Sequence, residues 1–228
     1  MDDSRPNVVA QQRFAQNRER LAPLDLRERF EQIYSENLWS SEESRSGEGS
    51  TLSETGSLRE GLPRLLADIG AHSLLDIPCG DFHWLSAVDL GIPYIGADIV
   101  SGLVAQNRER YARPDRQFLH LDLTRDPLPP ADAILCRDCL VHLSYANIAL
   151  AFENIRRSEA QFVIMTTFLE LGANRDIEDG DWRPLNFTLH PFHLPPPVAV
   201  LIEGCQEAGG AYRDKALGVW RTAALRGA

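Results

Sequence analysis

The chain has 228 residues and a formal net charge of -10, from 23 Lys and Arg against 33 Asp and Glu. This length suits one α/β domain with some additions. A protein that grips a phosphate backbone normally carries a basic stripe, and the acidic balance here predicts no nucleic-acid partner. No apolar run approaches the ~18 residues of a membrane span, so no membrane partner is expected.

The compartment is predicted from the amino terminus and from cysteine usage. The first residues lack the positive region and the apolar core of a signal peptide. The cysteines lie mostly in apolar strand contexts, as reduced cytosolic cysteines do. They are Cys79, Cys136, Cys139 and Cys205. We therefore expect a cytoplasmic protein; its oligomeric state is not fixed by the sequence.

The amino-terminal part is predicted to be helical. Apolar residues recur at helical spacing over residues 8–37, which indicates one or two amphipathic helices. Trp39 then opens a loop rich in Ser, Glu and Gly, and this loop is either a linker or a tethered cover. We divide the chain into residues 1–56, with these helices and a lid loop, and a main domain at residues 57–228.

From residue 57 onward strands and helices alternate, which predicts a parallel sheet covered on both faces. A helix is expected over 58–69. The predicted strands are 73–78, 94–99, 116–123, 132–137 and 161–168, and the helices between them are 82–90, 101–112 and 143–158.

The alternation stops after residue 168. An irregular insert spans 169–196 and precedes two strands, at 197–203 and 216–225. The segment between these strands is too short for a helical crossover, so the strands are expected to form an antiparallel hairpin. The predicted fold is a doubly wound, Rossmann-like α/β fold. It has a seven-stranded, mostly parallel sheet with an antiparallel last strand, plus amino-terminal helices.

The first strand and the turn after it carry the most specific signal. An apolar run ends in Asp76, then turns through Pro78 and Gly80 to a second acid, Asp81. A buried strand that ends in a carboxylate and a glycine turn is a nucleotide-site layout. The dinucleotide fingerprint needs three glycines, but only Gly80 is present, and Asp81 would repel a pyrophosphate. A nucleoside cofactor with a cationic, zwitterionic tail fits better, and S-adenosylmethionine (SAM) is one.

Acids also end the next two predicted strands. Asp98 lies 18 residues beyond Gly80, where a carboxylate can accept two ribose hydroxyls, and Asp122 could accept from an exocyclic amine. Apolar residues beside them would flank the ring. A single strand-end acid is often a helix cap, but three in succession after a glycine turn favour a ligand site.

These motifs, followed by Cys-Arg-Asp-x-Leu-x-His-Leu at 136–143, resemble a class I SAM-dependent methyltransferase of the small-molecule branch. The resemblance covers residues 57–168, and the terminal hairpin agrees with it. That family usually has two or three glycines in its first motif, where this chain has Gly80 alone. The chain also lacks the Asn-Pro-Pro-aromatic motif of enzymes that methylate amide or base nitrogens.

The resemblance implies a role for each matching position. Asp76 and Gly80 would face the methionyl part of SAM, Asp81 its ammonium, Asp98 the ribose and Asp122 the adenine amine. Backbone at positions 136 and 137 would approach the sulfonium. The implied cofactor-binding residues are Asp76, Pro78, Gly80, Asp81, Asp98, Ile99, Asp122, Leu123, Cys136 and Arg137.

His142 is the leading candidate for a general base, since an unperturbed imidazole suits proton removal near neutrality. His193 is a rival. Asp138 is expected to orient His142 or to bind an amine substrate, with a helix cap as the equally open alternative. Two histidines in the insert are too few for a metal site, so no metal is predicted. The Cys136-Arg-Asp-Cys139 sequence leaves a redox dithiol as a minor alternative.

The insert and Trp39 are expected to build the substrate pocket, because a long irregular segment in a compact domain is usually functional. The predicted substrate residues are Trp39, Arg175, Trp182, Asn186 and His190. They suggest methyl transfer to an oxygen or nitrogen of a small polar molecule: a sugar, an amino-acid derivative or a natural-product intermediate. The alternatives are a protein methyltransferase, a non-catalytic SAM-binding protein, and a nicotinamide-dependent oxidoreductase or epimerase.

Overall fold

The structure is a computed structural model, and it describes residues 5–225. A single seven-stranded sheet organises this part of the chain, in the spatial order β3-β2-β1-β4-β5-β7-β6. The strands are β1 (Leu74–Asp76), β2 (Tyr94–Asp98), β3 (Arg116–His120), β4 (Ala133–Cys136), β5 (Phe162–Phe168), β6 (Ala199–Ile202) and β7 (Lys215–Arg221).

Strands β1 to β5 are mutually parallel, as the alternating pattern predicts. Every residue of β1 and β4 is buried, which is why these strands read as continuous apolar runs. Successive side chains point to opposite faces of the sheet. Leu75 and Ile134 therefore join one buried cluster, and their neighbours Leu74 and Leu135 join another on the opposite face. The doubly wound prediction is confirmed.

Two helices of the predicted amino-terminal set are present, and a third opens the region from residue 57. The helices are α1 (Val9–Leu21), α2 (Leu26–Ser35), α3 (Gly56–Asp68), α4 (Ser101–Tyr111), α5 (Tyr145–Arg157) and α6 (Glu207–Gly210). Asp25 starts α2 with a capping box, in which its carboxylate accepts from the Glu28 N–H and the Glu28 carboxylate accepts from the Asp25 N–H. Ser144 caps α5 through its hydroxyl oxygen, which accepts from the Asn147 N–H.

The carboxyl-terminal hairpin is confirmed as well. Strand β7 pairs antiparallel with both β5 and β6. Because β7 runs opposite to β5, its first residue, Lys215, lies beside Phe168, the last residue of β5. The predicted second strand is shorter than expected, since residues Thr222–Ala224 form a 3₁₀ turn.

The helix predicted over residues 82–90 is wrong. This segment has only a 3₁₀ turn at Leu85–Ala87, and Phe82 takes a left-handed φ of 57°. The aromatic ring of Phe82 inserts among those of Tyr94, Tyr111 and Phe118. The apolar residues that suggested a helix pack instead into tertiary contacts, with Phe82 in this aromatic cluster.

The ends of the chain limit two expectations. Residues 1–4 and 226–228 lie outside the described residues. The first of these ranges includes the start of the segment from which the absence of a signal peptide is predicted. Among the helices of residues 5–225, none is long and apolar enough to cross a membrane.

Packing inside the sheet yields a stability prediction at Gly218 on β7. A Cβ there would lie 2.5 Å from Cζ3 of Trp220, a side chain that is 1 % exposed and cannot swing away. We expect Gly218→Ala to lower the free energy of unfolding by about 1–3 kcal/mol through overpacking. Gly172→Ala is the matched control, because its Cβ would meet nothing within 4 Å. Urea unfolding of both variants checks this, and equal stability of the two would contradict it.

Candidate active site

A cavity that opens to solvent lies at the carboxyl ends of β1, β2 and β4. Parallel pairing brings these strand ends to one edge of the sheet, where open α/β folds bind ligands. Helix α2 and the loop that follows it close the cavity from the opposite side. Backbone from the strand ends therefore faces side chains from the amino-terminal part.

The structure brings nearly all of the predicted cofactor residues to this cavity. Those that line it are Asp76, Pro78, Gly80, Asp81, Asp98, Ile99, Asp122, Leu123 and Arg137. Cys136 is 1 % exposed and packs in the core beneath the lining. The predicted residues Trp39, Asp138 and His142 also line the cavity.

Several lining residues were not predicted as site residues. Leu26, Phe30 and Tyr34 come from α2, and Ser46 and Ser50 come from the loop after it. The apolar positions of α2 were visible as an amphipathic face, but the sequence did not say what that face covers. A contact with α4 helps to hold α2 over the cavity, since the Ser101 hydroxyl donates to Glu31 at 3.0 Å.

All three strand-end acids are buried, and burial raises the pKa of two of them, Asp76 and Asp98. Asp98 accepts from the Gly80 N–H at 3.1 Å and from the Val100 N–H at 2.9 Å, so it ties the end of β2 to the glycine turn after β1. Burial raises the pKa of Asp98 to about 6. Asp76 accepts from the Tyr94 hydroxyl at 2.7 Å, and burial raises its pKa to about 7. Both carboxylates gain from any ligand that brings hydrogen-bond donors.

Asp122 combines the cap and ligand interpretations. Its Oδ1 accepts from the Thr124 N–H at 2.9 Å and from the Thr124 hydroxyl at 2.6 Å, as a turn cap does. Its other oxygen lies 3.4 Å from Nε of Arg125. The side chain still lines the cavity between Leu121 and Leu123. Capping and ligand contact are therefore compatible at this position.

Asp81 anchors the loop that follows Trp39. Its carboxylate accepts from the Ser44 hydroxyl at 3.0 Å, the Arg45 N–H at 2.8 Å and the Ser46 hydroxyl at 3.2 Å. In return, the Asp81 N–H donates to Ser46 Oγ at 2.9 Å. A Cβ on Gly80 would overlap Ser46 Oγ, so the glycine allows the loop to approach. Of the two interpretations of this loop, the tethered one is right.

His142 lies in a 3₁₀ turn, Leu140–His142, between β4 and α5. Its Nδ1–H donates to the carbonyl of Asp181 at 2.8 Å, because a carbonyl only accepts, and this leaves Nε2 as the accepting nitrogen. The Trp39 ring lies 5.3 Å from the imidazole, centroid to centroid. Burial lowers the pKa of His142 to about 4, so the imidazole is neutral at physiological pH.

Asp138 belongs to a cluster of buried charges at the bottom of the cavity. Its Oδ2 lies 2.7 Å from Nζ of Lys215 and 3.3 Å from Nη1 of Arg137. Burial alone would raise the pKa of Asp138, but the two cations outweigh it and lower the pKa to about 2. Arg137 also pairs with Glu203 at 2.7 Å. The site thus holds Asp138 as a carboxylate and His142 as a neutral ring.

The structure does not bring the predicted residues of the insert to the cavity. Trp182 is 7 % exposed and packs against Phe168 and Tyr212. Arg175 lines a separate surface groove beside α1. Asn186 bonds within the insert, and His190 and His193 contact one another. The insert folds back on β5, where the Phe168 N–H donates to the Leu185 carbonyl at 2.8 Å, so its side chains brace the site from behind.

The cysteines of the structure bear on the redox alternative. The four cysteines are free, including Cys136 and Cys139. A hydrogen bond with the Cys136 side chain, and then burial, raise the pKa of the Cys139 thiol, whereas a redox dithiol needs a lowered pKa. Within residues 5–225 no three His, Cys, Asp or Glu side chains are grouped to hold a metal ion.

Comparison with known proteins gives matches to solved structures alone. No family model matches the sequence, and no curated protein matches it. The N-methyltransferase NodS from Bradyrhizobium japonicum, in complex with S-adenosyl-L-homocysteine (SAH), matches with a TM-score of 0.59 and 13 % identity over 83 % of this chain and 96 % of its own. A Burkholderia thailandensis 1,6-didemethyltoxoflavin-N1-methyltransferase with SAH matches with a TM-score of 0.57 and 16 % identity, over 97 % and 92 %. Human N-acetylserotonin methyltransferase in complex with SAM matches with a TM-score of 0.51 and 13 % identity, over 82 % of this chain and 61 % of its own.

The chain has the fold of a class I SAM-dependent methyltransferase. Identities this low establish the fold and leave the activity to the residues of the site. The fold and its antiparallel last strand agree with the resemblance seen in the sequence.

The anchored loop gives a prediction at Asp81. We expect Asp81→Ala to free residues 44–46, because three donors lose their common acceptor. Trypsin should then cut after the exposed Arg45 about tenfold faster or more, as local opening becomes easier. Mass spectrometry of the 45–46 cleavage product measures the rate. Asp89→Ala is the control, since that exposed carboxylate accepts from Gly91 in a surface turn. Equal cleavage of both variants would refute the anchoring role.

Proposed function

We propose that the protein is a SAM-dependent methyltransferase that acts on an oxygen or nitrogen of a small polar molecule. One observation carries the proposal: Asp76, Asp98 and Asp122 line a single cavity, together with a turn that contains one glycine. The fold is shared with methyltransferases whose structures contain SAM or SAH. The resemblance in the sequence supports the same assignment.

The donor set fits this cofactor and does not fit a dinucleotide. Buried carboxylates at 98 and 122 suit ribose hydroxyls and an adenine amine, and Ile99, Leu121 and Leu123 supply apolar walls for a ring. A pyrophosphate would meet five acids in the same cavity and only one glycine in the turn. SAM carries an ammonium and a sulfonium, so its charges complement those acids.

When bound, SAM supplies a methyl group already activated by its sulfonium. The chain's own residues would then align the acceptor and exclude water. Helix α2 and Trp39 cover the cavity, and we assign residues 1–56 the role of this cover. His142 would accept a hydrogen bond from the acceptor through Nε2, and it remains the candidate base. Burial lowers its pKa to about 4, so it is a weaker base than the unperturbed imidazole expected from the sequence. Asp138, fixed as a carboxylate, would hold a donor group of the same molecule.

The nature of the acceptor follows from the part of the cavity beyond the cofactor residues. Trp39, Trp84 and His142 give it aromatic walls, and Ser50 and Asp138 add hydrogen-bonding groups. Such a pocket suits a small molecule with a ring or apolar part and a polar substituent. The NodS and toxoflavin enzymes, named for nitrogen methylation, have similar folds and support a small-molecule acceptor.

Ligand binding tests the proposal directly. We expect isothermal titration calorimetry to detect SAH and SAM, and the melting temperature to rise with SAH concentration by mass action. NAD and NADP should neither bind nor stabilise the protein, because Asp81 and its neighbouring acids repel a pyrophosphate. Binding of NAD without any response to SAH would reject the methyltransferase assignment.

The role of Asp98 is tested by substitution. Asp98→Ala should weaken SAH binding by about 1.5–3 kcal/mol, the range for hydrogen bonds to a charged group, because the ribose hydroxyls lose their acceptor. Some stability should be lost, because the Gly80 and Val100 N–H groups lose their acceptor, but the chain should still fold since the side chain lines a cavity rather than the apolar core. Asp68→Ala, at an exposed carboxylate on α3, is the control. Unchanged SAH affinity together with lost stability would show that Asp98 is only a structural cap.

The pH dependence of binding gives an independent reading of the same carboxylate. The pKa of Asp98 is about 6 without ligand, and hydroxyl donors stabilise the ionised form, so binding must release a proton below that pH. SAH affinity should therefore rise as the pH increases from 5 and level off above about 7. Asp98→Ala should flatten the part of this profile that the carboxylate causes. An equally steep profile in the variant would assign the proton to another group.

A further inference from the structure

Arg183, in the insert, is a buried arginine directly behind the candidate base. It is 0 % exposed. Its guanidinium donates to three backbone carbonyls: Nη1 to Leu140 at 2.6 Å, Nη2 to Leu143 at 2.5 Å and Nε to Arg175 at 3.2 Å. Its hydrogen-bond partners are carbonyls rather than a carboxylate, and its guanidinium lies 5.7 Å from the centroid of the Tyr145 ring. Burying a charge with such partners is costly, and burial lowers the pKa of Arg183 to about 10. Such a cost calls for a compensating role.

The carbonyls at 140 and 143 flank the turn that carries His142. Backbone of the insert holds the same turn, since the Gly180 N–H donates to the His142 carbonyl at 2.7 Å and the Arg183 N–H to the Val141 carbonyl at 3.1 Å. The two carbonyls at the ends of the turn and the two inside it are therefore all engaged by residues 180–183. These hydrogen bonds hold the turn in a fixed position against the insert.

The same clamp brings the Asp181 carbonyl to Nδ1 of His142, 2.8 Å away. A carbonyl at this distance admits only the tautomer with the proton on Nδ1. The Trp39 ring packs against the imidazole in a tilted arrangement, with the ring centroids 5.3 Å apart, and so limits its rotation. The charged groups that face His142 are Arg183, Lys215 and Asp138; the cations disfavour an imidazolium, and the Asp138 carboxylate is engaged by Lys215.

We propose that Arg183 is a positioning residue that clamps the Leu140–Leu143 turn against the insert and so holds His142 in the Nδ1–H tautomer. The Nε2 lone pair is then offered to the cavity, where the methyl acceptor must lie. The catalytic consequence rests on the proposed function, whereas the tautomer and its cause do not. The insert, which was expected to contact substrate, acts through the base instead.

Nitrogen-15 NMR of the full chain with labelled histidine tests this without a known substrate. His142→Gln identifies the His142 signals. In the wild-type chain at pH 7 we expect the neutral Nδ1–H tautomer alone. Arg183→Met should give a mixture of both tautomers and an upward shift of the His142 pKa, because the clamp and a neighbouring cation are both lost. Arg183→Lys keeps the charge but not the fork, so it should mix the tautomers with a smaller pKa change.

Arg221→Met is the matched control, because its guanidinium stacks on Phe162 at 5.1 Å, away from the turn, and the His142 signals should not change. An Nε2–H or doubly protonated His142 in the wild-type chain at pH 7 would overturn the proposal before any variant is made. Unchanged tautomers in a folded Arg183→Lys or Arg183→Met, checked by circular dichroism, would also overturn it. Failure of SAH to bind in calorimetry would reject the proposed function but leave the tautomer result valid.

Discussion

Parallel pairing of β1 with β2 and β4 is the constraint on which the site depends. In a parallel sheet, every strand delivers its last residues to the same edge, so acids that are distant in sequence converge. Asp98 links two of these strand ends directly, since its carboxylate accepts from the Gly80 N–H after β1 and from the Val100 N–H after β2. The hydrogen bonds that close the two turns also shape the cavity wall. Fold and site therefore share the same interactions at this edge.

The reversal of β7 supplies what parallel strands cannot. Because β7 starts where β5 ends, Lys215 enters the cavity edge from a strand that runs the other way. Glu203 follows the last residue of β6 and pairs with Arg137 and Lys215, and Lys215 also pairs with Asp138. A buried cluster of this kind is stable only if each charge has a partner, since an unpaired one would bear the full desolvation cost. The antiparallel strand thus fixes the ionised state of Asp138.

Two irregular segments complete the site from opposite sides. The amino-terminal loop is held on the front of the glycine turn by Asp81, and it presents Trp39 to the His142 ring. The insert lies behind the same histidine and holds its turn through Arg183 and Asp181. Apart from a 3₁₀ turn at Glu48–Ser50, the two segments are irregular, so each depends on side-chain anchors for its shape. The position and protonation of His142 result from the two together.

The sequence by itself determined the alternation of strands and helices, the closing hairpin and the acids at the strand ends. These features are local: apolar periodicity, turn residues and the period of two along a strand are written in neighbouring residues. It also identified Trp39, Asp138 and His142 as residues of interest. The helix expected at 82–90 failed because Phe82 is drawn into an aromatic cluster with Tyr94 and Phe118, and that cluster involves strands far along the chain.

Only the tertiary structure decided which way the irregular segments face. Trp182 and Arg183, an aromatic residue and a cation in the insert, are residue types that a substrate loop would carry. Both are buried against the rest of the domain. Conversely, the apolar face of α2 covers the cavity, as Phe30 and Tyr34 show. Irregular backbone has no period from which orientation follows, and its side chains settle where distant partners satisfy their charges and carbonyls. Those partners meet only when the sheet has formed.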